Sequence, residues 1–286
     1  MQVTYLVLAH HAPQQLASLL RLLLVEGDRA VVHVDAGSDE TPFRRAVVDL
    51  GAAVTFTGER HRVRWGGFGV VAATLTALRQ AVRSAPGDHY VLLSGADLPI
   101  KPIAALHDEL TGGQVRMNCW PMPDERRGKP MSRLDRWHHA PKDRHSRLAS
   151  RVNRLLQRLP ARDLAPLGGA RPHAGSQWWS MPHGCAEEVL DFVDRSPRFV
   201  RFFHHVQVPD EMFFQTVVKA LPTEWELRPN LTYTRWTSSG RLSPDTLGAA
   251  DVPALAGVEA FFARKFDLDA EPDVLEQVRD HLLVPR

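Results

Sequence analysis

Cysteine is nearly absent from this chain of 286 residues: Cys119 and Cys185 lie far apart with no recurring partner pattern. Two such residues supply neither a disulfide framework nor a Cys-based zinc site, and a reducing cytoplasm is the expected compartment. Long apolar runs are lacking too. The opening Met1-Gln-Val-Thr-Tyr-Leu-Val-Leu-Ala-His-His11 has no basic leader, and two histidines cut its apolar stretch short. It reads as neither signal peptide nor membrane anchor. Lysine is scarce, 5 residues against 30 Arg; coding-sequence composition explains that bias as readily as bidentate recognition does, so it names no function. No P-loop, G-x-S-x-G elbow, G-x-G-x-x-G turn, internal repeat or low-complexity tract occurs.

What the chain does have is 44% apolar and 24% charged residues, enough for a globular core. Its length is compatible with one domain across 1–286, since single cores stop growing at roughly 250–300 residues. The first hundred residues alternate strand and helix patterns, the mark of βαβ units and a mostly parallel, Rossmann-like α/β sheet flanked by helices. Val3–Ala9, Ala30–Asp35, Ala53–Phe56 and His89–Ser94 read as strands. Pro13 opens a helix with Leu16, Leu19, Leu20, Leu23 and Leu24 at helical spacing, and helices are expected at Pro42–Leu50 and Val70–Arg83. In open α/β sheets ligands bind beyond the carboxyl ends of the strands. His10, His33, Asp35 and Asp97 would then gather on one rim.

From Gly112 the regular pattern fails. The stretch 126–171 carries 13 Lys/Arg and 3 Asp, a charge of +10 that leaves −8 for the rest of a chain whose net charge is +2. A basic stretch suits a polyanion, but no nucleic-acid reading motif or aromatic stacking pattern accompanies it, and no nucleic acid partner is expected. An Arg-rich helix over Arg144–Arg158, with Leu148, Val152, Leu155, Leu156 and Leu159, reads more simply as a helix docked by its leucines. Order returns with a strand near Gln177–Met181 and helices at Gly184–Arg195 and Asp210–Ala220. A strand at Leu231–Trp236 and a helix from Pro272 close the chain. The expected organisation is an N-terminal half at 1–111, a basic insert at 112–174 and a C-terminal half at 175–286.

Several short segments can carry chemistry. In Val208-Pro-Asp-Glu211 the Pro-Asp pair starts a helix and fixes Glu211 in its first turn, where it serves a cleft as general base or merely suits the helix dipole beside an Asp210 cap. In Phe261-Phe-Ala-Arg-Lys-Phe-Asp267 two cations sit between aromatic anchors, which suits a diphosphate or a surface salt bridge. Asp267-Leu-Asp269 spells D-x-D, but far from the N-terminal half. Trp65-Gly-Gly67 and Gly175-Ser-Gln-Trp178-Trp179 set indoles beside glycines, for a sugar or for core packing. The pairs His10-His11, His138-His139 and His204-His205 lack i,i+4 spacing with a carboxylate, so zinc is not expected.

Seven strings in order resemble the core-2/I-branching β-1,6-N-acetylglucosaminyltransferase family, which also holds peptide O-xylosyltransferases. They are Tyr5-Leu-Val-Leu-Ala-His10, Val32-His-Val-Asp35, Arg64-Trp-Gly-Gly67, Leu92-Leu-Ser-Gly-Ala-Asp-Leu-Pro-Ile-Lys101, Gly175-Ser-Gln-Trp178, Val208-Pro-Asp-Glu211 and Phe262-Ala-Arg-Lys-Phe-Asp267. The resemblance implies a GT-A-type fold, an inverting transfer from a UDP-sugar to an acceptor hydroxyl, and no divalent metal or other cofactor. It implies Glu211 as catalytic base and Lys265 on the diphosphate, with Arg241 or Arg264 as the second cation. Asp35 is a reasonable uridine partner, Asp97 a neighbour of the donor sugar, and His10 and His33 belong to the same donor rim. Toward the acceptor it implies Trp65, Trp178, Asp210 and Trp236, with Arg136-Trp137 resembling a basic-Trp element and Glu125 and Arg133 upstream at suitable spacing. Ser238 stands where the branching enzymes have a Tyr. Without an anchor or a cysteine framework the chain looks like a cytoplasmic bacterial version acting on a glycan, glycolipid or small-molecule hydroxyl, with N-acetylglucosamine favoured over xylose as the sugar. A histidine-based metallohydrolase and a non-catalytic polyanion-binding protein are the readings from other classes.

Overall fold

Val3–Ala9 is largely apolar on both sides because it lies in the interior of a sheet, between two other strands. In the computed structural model, which describes all residues except 26, 142–145, 238–242 and 285–286 and the side chain of residue 149, this strand is β1. It pairs in parallel with β2 (Arg29–Val34) and with β4 (His89–Ser94). β3 (Val54–Phe56) adds to β2, also in parallel. β7 (His173–Pro182) runs antiparallel to β4, β6 (Val115–Pro121) antiparallel to β7, and β8 (Leu227–Arg228) parallel to β6. The seven strands lie in the order β3-β2-β1-β4-β7-β6-β8, the mostly parallel α/β sheet expected. A small second sheet joins β5 (Asp97–Pro99), β10 (Phe262–Arg264) and β9 (Thr232–Thr234), with β10 in the middle.

Side chains alternate across β1. Tyr5 and Val7 point into one core with Leu16, Leu19, Leu20 and Leu23 of the helix Pro13–Leu23. Leu6 points into the other, with Val71 and Leu78 of the helix Gly69–Ser84. Helices therefore cover both faces, as buried parallel strands require. Those four leucines are fully buried; at about 1.5–3 kcal/mol each they contribute roughly 6–12 kcal/mol before chain entropy is charged. A third apolar cluster, including Leu98, Ile100, Leu247, Phe266 and Val278, lies under the small sheet.

Several expectations are corrected. The stretch after Gly112 is not without order: β6 and the short helix Ser132–Asp135 lie in it. The helix expected at Asp210–Ala220 is a 3-10 turn, Pro209–Glu211, followed by a helix Phe213–Ala220. The Arg-rich helix covers Arg147–Leu156, and only part of its apolar set is docked: Val152 and Leu156 are half-buried, whereas Leu148 is 70% exposed and Leu155 60%. No helix among the described residues is long and apolar enough to cross a membrane.

Candidate active site

The parallel registers bring the ends of β1, β2 and β4 level, Ala9 opposite Val34 and Leu8 opposite Ser94. The residues that follow, His10, Asp35 and Gly95, therefore share one rim. The Asp35 carboxylate accepts from the backbone of Gly37 and of Val63, both at 2.6 Å, and so closes its own turn and ties down the segment that leads to Trp65. His10 is exposed and stacks on His11 at 4.2 Å. Desolvation, with His11 adding to it, holds its pKa below the usual histidine value against the opposing pull of Asp35.

Two non-glycine residues with left-handed backbone occur among the described residues, and both border this region. Ala12 (φ 51°) follows the histidine pair, and Val208 (φ 54°) precedes Pro209-Asp210-Glu211. A β-branched residue there is a genuine outlier that the surroundings must over-determine, and such strain concentrates at functional sites. The surroundings are visible at Val208, whose N–H donates to the Gly66 carbonyl at 3.1 Å. Gly66 is itself left-handed (φ 70°), so the Trp65-Gly-Gly67 turn needs its glycine and docks on the Val208-Pro-Asp-Glu211 turn.

Glu211 ends that turn with its side chain 28% exposed. Its Oε2 accepts from Arg133 at 2.7 Å and from the Lys129 ammonium, while Oε1 has no partner among the described residues. Arg133 thus meets Glu211, as its place beside the acceptor element allowed. Lys129 was not anticipated. It lies in a turn closed by the Asp124–Lys129 pairing, and nothing in its local sequence signals a contact 82 positions away. Burial, reinforced by the charge of Glu211, raises the neighbouring Asp210 to about 7. Asp210 is therefore kept protonated over a range where an ordinary aspartate is ionised.

The floor is an ion pair. Asp97, fully buried, accepts from Ser94 N at 3.0 Å, Ser94 Oγ at 2.7 Å and Arg264 Nε at 2.9 Å. The Arg264 guanidinium in turn lies 4.4 Å from the centre of the Trp178 ring. Three sequence-predicted residues are thereby brought together: Arg264 is engaged by Asp97, Asp97 itself is fully buried, and the nearly buried Trp178 ring is covered by Arg264 rather than presenting an open face. Ser176, two residues earlier, accepts through its carbonyl from Gln215 Nε2 at 2.7 Å, which ties β7 to the helix following Glu211. Gly175 is required because a Cβ there would lie 1.7 Å from the Asn118 carbonyl oxygen on β6.

Lys265 lines a cavity of about 440 Å³ with His11, Gln15, Ala96, Thr246, Asp267 and Asp269. Its ammonium has no partner among the described residues. The remaining candidates divide. His33 is corrected: it is buried, and its Nε2 accepts from the backbone of His61 at 2.9 Å, so it braces the rim from behind. Burial, chiefly, pushes it down to about 4, which keeps that acceptor neutral. Arg136 donates to the Leu159 carbonyl at 3.0 Å while its side chain stays 40% exposed. Trp65 and Trp236 are exposed, and Glu125 is exposed in the turn that carries Lys129. Arg241 lies outside the described residues. The histidine pairs build no metal site: among the described residues no three His, Cys, Asp or Glu side chains converge. A larger cavity, about 1060 Å³ between Ala165–Arg171 and Arg195–Phe199, contains none of these candidates.

A family model described as Core-2/I-Branching enzyme matches residues 3–255, which takes in Glu211 and stops short of Lys265. No curated protein sequence matches. Among solved structures, the inositol-1-phosphate CTP transferase from T. maritima is similar at TM-score 0.43 and 10% identity, covering 98% of each chain. Mouse xyloside xylosyltransferase 1 in its apo form is similar at TM-score 0.38 and 13% identity, over 92% of this chain and 97% of that one. Likenesses of that depth decide nothing about activity.

Proposed function

We propose, on the premise that this chain belongs to the Core-2/I-branching enzyme family and is a glycosyltransferase, that it transfers a sugar from a UDP-sugar with inversion and without a divalent metal. The observation that carries the reading is Glu211: a carboxylate on a rigid, strained turn, clamped through Oε2 by Lys129 and Arg133, with Oε1 left over. A general base has to be oriented before it is useful, and this clamp fixes the side chain while leaving an oxygen to take a proton. Glu211 Oε1 removes the acceptor hydroxyl proton as that oxygen attacks the anomeric carbon from the face opposite UDP, and direct displacement turns an α-linked donor into a β-product. Negative charge then grows on the β-phosphate. The Lys265 ammonium, without a partner among the described residues and in a cavity beside the rim, is suited to meet it. Asp35 and His10 lie on the same rim for the nucleoside end, on a GT-A-type reading of the fold. The donor sugar favoured is N-acetylglucosamine.

Binding tests this reading directly. Thermal shift and calorimetry against UDP, UDP-N-acetylglucosamine, UDP-xylose, UDP-glucose and UDP-glucuronate are run in EDTA and in Mn²⁺. A ligand at about 100 times its Kd stabilises the native state by about 2.7 kcal/mol. Saturable binding of UDP and one UDP-sugar in EDTA, weakened at least about tenfold by Lys265→Met, is the expected result. Binding seen only with Mn²⁺, or unchanged in that variant, contradicts it.

A further inference from the structure

The helix Arg147–Leu156 shows solvent a surface that water does not favour. Leu148, Leu155 and Leu159, the last in the turn after the helix, are 70%, 60% and 45% exposed. At about 100° per residue they fall on one stripe, and Arg147, Arg151, Arg154 and Arg158 fall on the adjoining one. Asn153 is on a third side and ties the helix to the body. Its Oδ1 accepts from His139 N at 2.8 Å and its Nδ2 donates to the His139 carbonyl at 3.0 Å. The side opposite Asn153, where the leucine and arginine stripes meet, therefore points outward. No Asp or Glu occurs between Ser146 and Arg162, and these four arginines have no ion-pair partner among the described residues.

Each simple occupant fits half of this surface. A nucleic acid would use the arginines and leave the leucines exposed. A second copy of the chain would use the leucines but set arginine against arginine. An anionic bilayer uses both, since an interfacial helix lays its apolar stripe at the headgroup–acyl boundary and its cations on the lipid phosphates. We propose that the helix Arg147–Leu156 docks this protein peripherally on an anionic lipid surface. The inference stands apart from the catalytic reading, because it uses neither Glu211 nor Lys265.

The test is co-sedimentation of the full chain with vesicles of mixed phosphatidylglycerol and phosphatidylcholine, and with vesicles of phosphatidylcholine alone. Partition onto the anionic vesicles is expected, weaker when NaCl rises from about 0.1 to about 0.5 M. Leu148→Ser and Leu155→Ser should each lower it about tenfold. The triple change Arg151→Glu, Arg154→Glu, Arg158→Glu should abolish it. These positions are exposed, so unchanged circular dichroism and melting temperature establish that every variant is folded. Failure to pellet with anionic vesicles overturns the proposal. So does binding indifferent to the leucine changes, which would indicate a soluble polyanion, or a doubling of mass by light scattering that those changes remove.

Discussion

Substituting Asp97 by Ala removes one partner of the buried pair under the rim. The carboxylate is fully buried and accepts three hydrogen bonds, two from Ser94 and one from Arg264. Its loss leaves the Arg264 guanidinium against Trp178 with no counter-charge. Breaking a buried pair from one side costs about 3–5 kcal/mol. Arg264 keeps 18% side-chain exposure, which favours the lower end, about 3 kcal/mol. At about 2–4 °C per kcal/mol the melting temperature should drop by about 6–12 °C. Arg264→Met should cost at least as much, because it strands the more deeply buried charge. The double variant carries neither charge and sets Met against the indole, so it should lose less than the sum of the singles by about 2 kcal/mol. Urea unfolding of the four proteins followed by circular dichroism measures the cycle. Single losses under about 1 kcal/mol, or losses that add to within about 0.5 kcal/mol, would refute the pairing argument.

Three further predictions concern stability. Burial lowers His33 and His89 to about 4, so the unfolded chain takes up protons first as the pH falls. Their contribution is present above about 6.5 and lost toward pH 4, by at most about 3 kcal/mol each; urea midpoints across that window should fall, and fall less in His89→Gln. Asp210 acts in the opposite sense: raised to about 7, it favours the fold below about 3.8 and loses that contribution as the pH rises through 7. Asp210→Asn should therefore gain on the parent progressively from pH 4 to pH 7, and a pH-independent difference would count against it. Gly175→Ala forces a Cβ onto the Asn118 carbonyl and must part β6 from β7. A loss of about 3 kcal/mol or more is expected by thermal melting, and a parent-like melting temperature would contradict that.

The half of the fold built on βαβ units was legible because local pattern and tertiary fate coincide there: Val3–Ala9 is apolar but for Thr4 and lies in the sheet interior. β6 was missed because only Val115 and Met117 of its seven residues are deeply buried, too few to show an alternation. The helix Pro197–Phe203 was missed although it carried a signal, a proline in its first turn and buried Phe199, Phe202 and Phe203 at helical spacing. The rim was readable from strand ends, whereas its internal bonds were not. Asp97 and Arg264 are 167 positions apart, and the likeness that singled out both could not reveal that they pair. Lys129 fell outside every motif and meets Glu211 through tertiary structure alone. The Arg-rich helix shows the same limit from the other side. Its periodicity established two faces, but only the fold reveals that Leu148, Leu155 and Leu159 are exposed.

The central claim is that Glu211 removes the acceptor proton, and the direct measurement is single-turnover transfer by Glu211→Gln alongside its affinity for UDP. The glutamine keeps the shape of the clamp and loses the base. Transfer should fall by at least about 10²–10⁴-fold, the usual worth of a positioned base, with UDP affinity unchanged. Turnover close to that of the parent enzyme would contradict the account.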